Sequence, residues 1–292
     1  MGKKSNKENK TKEIFNKIVD GVTSIIDSGE YAKFLKFSRN FHNYSFNNIV
    51  LIFSQMEEAT QVAGFKAWKN MGRKIKPGAK GIQIIYPMRK KYTTKIEGQK
   101  TLLEDREEKK EEKKEEKTVE YLTYRPTYVF DISQTVGEPM PLEDKRLQSN
   151  NMKDFFTFLN SYSPFPIIEE NKIGSAQGYW SPKNKHIVLK KSLSLDDKVS
   201  VLLHELTHAL YDDFNYKEDR NLSETFVESV AFIVADYFGL DTSRCSFNYI
   251  TSWADGDIKV ILKLGDKIQK TANNFIKKLE SEYESQNIRI AG

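Results

Sequence analysis

The stretch His204-Glu205-Leu206-Thr207-His208 decides the fold of the second half of this 292-residue chain. Two histidines four residues apart on a helix project from the same side, about one turn apart. That spacing lets both imidazoles reach one tetrahedral Zn²⁺, and it places Glu205 as a general base towards water. The sequence holds only 4 histidines, so two of them in this pattern indicate a zinc site.

The residues around this motif predict an amphipathic helix. Ser194 precedes Asp196 and Asp197, which is an N-cap with acids in the first turn, where the helix dipole favours them. Apolar residues then recur at spacings of three and four, namely Val199, Leu202, Leu203, Leu206, Ala209 and Leu210. His204 and His208 point away from the centre of that stripe, so we expect them to face a cleft. The alternative is an ordinary amphipathic helix with two surface histidines.

A second helix, predicted to start at Asn221 and to end at Gly239, supplies the candidates for a third ligand. This helix is apolar nearly all round and should be buried, and a buried carboxylate needs a partner. We assign Glu224 as the third metal ligand and Glu228, one turn later, as the group that orients a ligating imidazole. The reverse assignment, with Glu228 as the ligand, stays open. A solvated polar stripe is the structural alternative for the pair.

Upstream of the motif, Gly178-Tyr179-Trp180 and His186-Ile187-Val188-Leu189 flank a turn and predict a β-hairpin. Hairpin, H-E-x-x-H helix and Glu-bearing helix follow one another in the order of small gluzincin-type metallopeptidases. The C-terminal half therefore resembles the zincin-like domain shared by ArdC-type antirestriction proteins and the ImmA/IrrE peptidases. The resemblance implies that the edge strand of the hairpin binds a peptide substrate in extended form.

The N-terminal half also resembles a domain of the ArdC family, the one that binds single-stranded DNA. Four segments carry this resemblance: 44–51, 64–72, 73–84 and 128–137. A further segment, Tyr249-Ile250-Thr251-Ser252-Trp253, is similar to the C-terminal helix region of the family. The implied fold class is α+β, with an N-terminal α+β DNA-binding domain followed by a small gluzincin-like zincin domain.

The charge distribution supports nucleic-acid binding independently of that resemblance. Residues 1–100 hold 20 Lys and Arg against 8 Asp and Glu, a balance of +12. The balance is −4 in residues 101–147 and −3 in residues 148–292, which gives +5 for the chain. Basic charge concentrated in one part of a chain indicates a nucleic-acid surface. Single-stranded DNA is therefore the expected partner of the N-terminal half.

Two kinds of side chain are candidates for contact with that DNA. The basic loop across a Pro-Gly turn offers phosphate contacts through Arg73, Lys74, Lys76 and Lys80. Trp68 and Tyr44 are the candidates for stacking on unpaired bases. The alternatives are a solvated basic face for the loop and a packing role for the aromatic residues.

The expected organisation has a basic N-terminal tail and first helix (1–28), a DNA-binding domain (29–147) and a zincin-like domain (148–292). Residues 104–117 form a charged low-complexity insertion between strands of the DNA-binding domain, without an apolar face to dock. No apolar run is long enough to span a membrane, and the start lacks a signal-peptide core. The single cysteine, Cys245, fits a cytoplasmic protein and is expected to be a packed thiol.

The function expected from these features is that of an ArdC-like factor of a mobile element, which protects incoming single strands from restriction. Zn²⁺ is the expected cofactor, Glu205 the base that takes a proton from attacking water, and a peptide or protein the possible substrate. Tyr179, Tyr211 and Tyr216 are the candidates for stabilising the oxyanion. Two alternatives remain: an ImmA-like regulatory protease that cleaves a repressor, and a DNA-binding protein whose metal is structural.

Overall fold

The computed structural model of the chain describes residues 2–41, 43–95, 116–139, 152–215, 218–242 and 258–290. Within these ranges the chain contains both helices and strands, which confirms the predicted α+β class. None of the described helices combines the length and the apolar character needed to cross a lipid bilayer. Four predicted features lie outside the described residues: 104–115 of the charged insertion, Tyr216, Cys245 and 249–253.

The described residues of the N-terminal part form four α-helices and five strands. The helices are α1 (Gly2–Asp27), α2 (Tyr31–Ser38), α3 (Phe46–Gln55) and α4 (Phe65–Asn70). The strands are β1 (Val62–Ala63), β2 (Lys74–Ile75), β3 (Ile82–Lys95), β4 (Glu116–Asp131) and β5 (Thr135–Val136). One antiparallel sheet has the order β1-β4-β3, and β2 pairs with β5. Of the predicted insertion, residues 116 and 117 are the first two of β4, and residues 104–115 lie outside the described residues.

Side-chain amides from α3 complete the outer edge of β3 where the sheet enters the core. Asn48 accepts from the backbone N–H of Ile85 and donates to its carbonyl, both at 2.9 Å. Gln55 does the same for Gln83, again at 2.9 Å. These amides take the place of a neighbouring strand, which satisfies backbone groups that would otherwise lack partners.

Where the structure describes the C-terminal part, it has a small mixed sheet and four helices. Its strands are β6 (Ile167–Glu170), β7 (Gly178–Ser181) and β8 (His186–Lys190), in the order β6-β8-β7. Its helices are α5 (Met152–Tyr162), α6 (Leu195–Tyr211), α7 (Arg220–Tyr237) and α8 (Ile258–Ile290). The antiparallel pairing of β7 with β8 confirms the predicted hairpin.

The ends of α6 and α7 follow the capping signals in the sequence. Ser194 caps α6, because its hydroxyl accepts from the backbone N–H of Asp197 at 3.2 Å. After α7, Gly239 has a φ of 86° and its N–H bonds to the carbonyl of Asp236, while Leu240 bonds to Ala235. These two bonds form a Schellman motif, whose left-handed residue favours glycine. Capping therefore fixes the segments that carry the histidines and the glutamates.

One continuous core joins the two parts of the chain. Buried apolar residues run from α1, α2 and α3 through α6, α7 and α8. At the junction, Tyr31 of α2 hydrogen-bonds Ser229 of α7 at 3.0 Å, and Gly265 of α8 leaves room for the ring of Phe46 from α3. The two parts therefore meet through their helices. The predicted domain boundary at 147/148 lies outside the described residues.

The basic start of the chain is predicted to hold a tail and a first helix within residues 1–28, and α1 spans Gly2–Asp27. The stretch is rich in Lys, which favours helix, and Ile14, Ile18, Val22 and Ile25 supply a buried apolar stripe. The stripe docks the C-terminal half of α1 on the core.

Candidate metal centre

The side chains of His204 and His208 from α6 meet that of Glu224 from α7 at one point. Both imidazole Nε2 atoms lie 3.7 Å from the same carboxylate oxygen, Oε2 of Glu224. The three donor atoms lie within 4.8 Å of one another. The helices α6 and α7 pack side by side and hold these groups together.

The chemistry and spacing of this donor set fit a divalent metal such as Zn²⁺. Two imidazoles and one carboxylate form a common ligand set of catalytic zinc sites. Tetrahedral coordination at ordinary Zn–N and Zn–O lengths separates ligand atoms by about 3.4 Å. The observed 3.7 Å therefore requires only a small contraction around the ion.

Proton affinity within the cluster differs between the two histidines. Burial lowers the pKa of His204, and the neighbouring His208 lowers it further. Burial also opposes protonation of His208, but its hydrogen bonds to Asp212 and Glu224 outweigh burial and raise its pKa.

Asp212, the first residue after α6, is a functional candidate that the sequence interpretation missed. Its Oδ2 lies 2.8 Å from Nδ1 of His208 and accepts the hydroxyl proton of Ser223 at 2.7 Å. Burial raises the pKa of Asp212, but these hydrogen bonds hold it below its ordinary value. The available signal was the spacing, since Asp212 follows His208 by one helical turn.

Glu228, predicted to orient an imidazole, contributes no hydrogen bond to either histidine in the described part of the chain. Burial and the charge of Glu224 raise the pKa of its carboxyl to about 7. The hydrogen bond expected from Glu228 comes from Asp212 instead. The reason is geometric: the end of α6 carries Asp212 back onto the imidazole, whereas Glu228 lies a turn further along α7.

Glu205 lies beside the cluster and is held by strand β7. Its Oε2 accepts the backbone N–H of Trp180 at 2.7 Å. Burial raises the pKa of this carboxyl to about 7. Gly178 makes the contact possible, because a Cβ there would lie 2.5 Å from Cγ1 of Val201 on α6. A glycine therefore lets β7 lie against the helix that carries the motif.

A cleft of about 710 Å³ opens over these groups. Its walls include the two histidines, three carboxylates (Glu205, Asp212 and Glu224) and three aromatic residues, Tyr179, Trp180 and Phe214. Of the three tyrosines predicted as oxyanion donors, Tyr179 lines this cleft. Tyr211 instead packs on Phe275 of α8, with ring centroids 5.1 Å apart. The cleft leaves Glu205 open to water.

Three of the predicted DNA contacts are occupied within the fold. Trp68 is 0% exposed and its indole donates to the carbonyl of Phe130, so its ring is closed to a base. Tyr44 donates its hydroxyl to Val62, and its ring meets Phe41 edge-on. Arg73 is buried and bonds Thr135 and the carbonyl of Glu138. Packing overrides the basic and aromatic pattern at these positions.

The remaining lysines of the basic loop lie at the surface. Lys74 and Lys80 are exposed, while Lys76 is exposed but donates to the carbonyl of Ser133 at 2.7 Å. Aromatic rings that the sequence interpretation did not select are exposed nearby, with Phe65 at 61% and Tyr128 at 55%. Only the burial pattern of the folded chain distinguishes these rings from the packed ones.

Comparison with known protein families gives two matches along the chain. Residues 4–130 match the N-terminal domain of anti-restriction factor ArdC. Residues 169–246 match the IrrE N-terminal-like domain of a peptidase family. The second match contains the cluster of His204, His208 and Glu224, and the first contains the exposed rings and lysines.

An uncharacterized protein of Bacillus anthracis is 27% identical to this chain in an alignment of 316 residues. The alignment covers 93% of this chain and 51% of that protein. The chain thus spans about half the length of this relative. Among solved structures, the metal-free form of ArdC from plasmid R388 has a TM-score of 0.50 at 18% identity. The match covers 82% of this chain and 85% of the ArdC chain. The Mn(II)-bound form of the same protein has a TM-score of 0.48 at 18% identity, covering 81% and 88%.

Proposed function

Since residues 4–130 belong with the ArdC N-terminal domains and residues 169–246 with the IrrE-like domains, we propose that this chain is an antirestriction protein with a zinc peptidase site. In this proposal residues 29–147 bind single-stranded DNA and residues 148–292 form the peptidase part. The observation that carries the proposal is the convergence of His204, His208 and Glu224 beside Glu205 in one open cleft.

The three donors His204, His208 and Glu224 would hold Zn²⁺. When bound, the ion would supply Lewis acidity that favours ionisation of water and polarises a carbonyl. Glu205 would take the proton of the attacking water and pass a proton to the leaving amine. The N–H of Trp180 keeps its carboxylate turned into the cleft. An open cleft with a base favours this role over a closed structural metal site.

The substrate proposed for this site is an extended peptide. In the described sheet, β7 pairs with β8 on one side, and its residues Tyr179 and Trp180 line the cleft on the other. A peptide added along that edge would form backbone hydrogen bonds with β7. Its scissile carbonyl would then face the water that Glu205 deprotonates. Tyr179 is the proposed oxyanion donor, because it lines the cleft while Tyr211 packs away from it.

Hydrolysis is tested on the full chain with quenched fluorescent peptide libraries and with unfolded protein substrates. The wild type with Zn²⁺ should cleave, whereas chelation of the metal and Glu205→Gln should each abolish cleavage. Tyr179→Phe should lower kcat by roughly 10²–10³-fold if its hydroxyl is an oxyanion donor. Cleavage by Glu205→Gln at the wild-type rate would contradict the assignment of the base.

A regulatory protease that cleaves a repressor remains the second candidate, because the match to the IrrE-like domain covers the whole site. Both candidates use the same residues and differ only in the substrate. Cleavage of one purified transcriptional regulator in preference to unfolded substrates would favour this second role.

The proposed DNA surface lies where exposed rings and lysines occur together. Phe65 follows β1 by two residues, and Tyr128 precedes by two the β4 residue that pairs with Ala63. Both rings therefore lie at the same end of the sheet, with Lys66 and Lys80 exposed on adjacent segments. Exposed rings can stack on bases and lysines can pair with phosphates, without a sequence preference.

Binding to fluorescently labelled oligothymidylate tests this surface in the full-length protein. Phe65→Ala and Tyr128→Ala should each weaken binding by about 1–3 kcal/mol, the usual cost of losing a stacked base. Phe15→Ala is the matched control, because this ring of α1 is also about half exposed, at 49%. Equal affinity of all three variants would remove the rings from the DNA surface.

The salt dependence of the same binding separates stacking from charge. Lys74→Ala with Lys80→Ala should flatten the slope of log affinity against log salt by about 0.7 for each phosphate that is no longer neutralised. The ring variants should leave this slope nearly unchanged. Salt-independent binding by the wild type would contradict the electrostatic part of the proposal.

A further inference from the structure

The carboxylate of Asp212 receives three hydrogen-bond donors on its two oxygens. Oδ2 accepts from Nδ1 of His208 at 2.8 Å and from the hydroxyl of Ser223 at 2.7 Å. Oδ1 accepts from the backbone N–H of Phe214 at 3.1 Å. Only 8% of the Asp212 side chain is exposed, so water does not replace these partners.

This arrangement fixes which nitrogen of His208 carries its proton. A carboxylate only accepts, so Nδ1 of His208 must be the donor and must hold hydrogen. In neutral imidazole the lone pair is then on Nε2, the atom that lies 3.7 Å from Glu224. An amide in place of Asp212 would offer one accepting oxygen and one donating nitrogen, which cannot satisfy three donors.

A lysine from the distant helix α8 holds the segment that carries Asp212. The Nζ of Lys267 lies 3.7 Å from the centroid of the Phe214 ring and 4.6 Å from that of Phe226. It also forms an ion pair with Asp213. The ammonium group thus joins the residues that follow Asp212 to α7 and α8 through cation–π contacts.

We propose that Asp212 is a positioning residue of the metal site, which directs Nε2 of His208 towards the ion, and that Lys267 stabilises the segment carrying it. The inference rests on the proposed zinc site and deepens it. Comparable hydrogen bonds to ligating histidines fix ring orientation and raise ligand basicity. Ser223 links this position to the start of α7, one residue before Glu224, so both helices that supply ligands share the Asp212 carboxylate.

Zinc affinity, measured by competition with a chromogenic chelator, tests the role of Asp212 without relying on activity. Asp212→Asn should bind Zn²⁺ about 10–100-fold more weakly than the wild type. Asp20→Asn is the matched control, since Asp20 is an exposed residue of α1 outside the metal site. Lys267→Met should lie between these two variants.

A spectroscopic measurement separates positioning from a general loss of structure. In ¹⁵N–¹H spectra of the zinc-loaded protein, His208 should show a protonated Nδ1 with a downfield proton and a zinc-bound Nε2. Asp212→Asn should shift or lose that proton signal. If Asp212→Asn does not fold, Ser223→Ala, which keeps the carboxylate and removes one donor, should still shift the Nδ1 proton.

The possible outcomes distinguish this inference from the proposed function. Zinc affinity of Asp212→Asn equal to that of Asp20→Asn would overturn the role of Asp212, and so would zinc on Nδ1 of His208. Wild-type affinity in Lys267→Met would overturn the role of the lysine. A wild-type protein that binds no zinc would overturn the proposed site and this inference together.

Discussion

At the scale of single residues, the site depends on how each carboxylate is partnered. Glu224 faces two imidazoles, Glu205 takes one backbone N–H, and Asp212 takes three donors. Burial raises the pKa of Glu205 to about 7, and burial together with the charge of Glu224 raises the pKa of Glu228 to about 7 as well. A carboxyl held in this way lowers stability when it ionises.

The first prediction follows from the raised pKa of Glu228. The folded state holds the proton up to about pH 7, whereas the unfolded chain loses it near pH 4.5, so stability falls as pH rises between these values. In metal-free protein, Glu228→Gln should gain roughly 1–2 kcal/mol over the wild type across this range, after allowance for partial solvent access. Urea unfolding at several pH values measures the difference. Glu284→Gln is the control, because Glu284 is an exposed residue of α8. A gain independent of pH would contradict the assignment.

At the scale of elements, the packing of β7 against α6 places the backbone N–H of Trp180 at 2.7 Å from Oε2 of Glu205, the proposed base. Gly178 permits this approach, since a Cβ there would lie 2.5 Å from Val201 and 2.9 Å from the carbonyl oxygen of Val188. The carbonyl belongs to the paired strand β8 and cannot turn aside without breaking the sheet. The position of β7 is therefore sensitive to one methyl group.

The second prediction is that Gly178→Ala destabilises the protein by about 1–3 kcal/mol, the usual cost of overpacking. The variant should also weaken the bond from Trp180 to Glu205, seen as faster exchange of the Trp180 amide proton. Gly64→Ala is the matched control, because a Cβ at Gly64 meets nothing within 4 Å. An unchanged exchange rate at Trp180 would show that β7 can move while the hydrogen bond to Glu205 persists.

Local signals in the sequence predicted the elements around the metal site more accurately than the DNA surface. Spacing and capping depend on neighbours within one helix, so His204, His208 and the bounds of α6 and α7 could be predicted from the sequence. The partner of His208 could not, because the turn after α6 decides where Asp212 points. Trp68 and Phe65 are both aromatic residues of α4, and only the fold determines that Trp68 is buried and Phe65 exposed.

At the scale of the whole molecule, the N-terminal and C-terminal parts of the described chain share their helical core. Arg39 bonds Asp236 of α7 at 2.6 Å, and Phe46 packs over Gly265 of α8. The helix that carries Glu224 is therefore covered by helices of the N-terminal part. We expect the two parts to unfold together, because neither can bury these faces alone.

The third prediction tests this shared core. Phe46→Ala should cost about 3–5 kcal/mol and should lower hydrogen-exchange protection in α7 as much as in α3. Phe15→Ala, in an exposed position of α1, should stay within about 0.5 kcal/mol of the wild type. Two separate unfolding transitions, with only the first shifted by Phe46→Ala, would contradict a common core.

The measurement that tests the central claim most directly is the zinc content of the purified full-length protein and two variants, determined by elemental analysis after dialysis. The wild type and Glu205→Gln should each retain one zinc ion per chain, because Glu205 lies beside the donor cluster and is not counted among its ligands. Glu224→Ala should retain little, since it removes one of three donors. Full occupancy in Glu224→Ala, or loss of zinc in Glu205→Gln, would contradict the account.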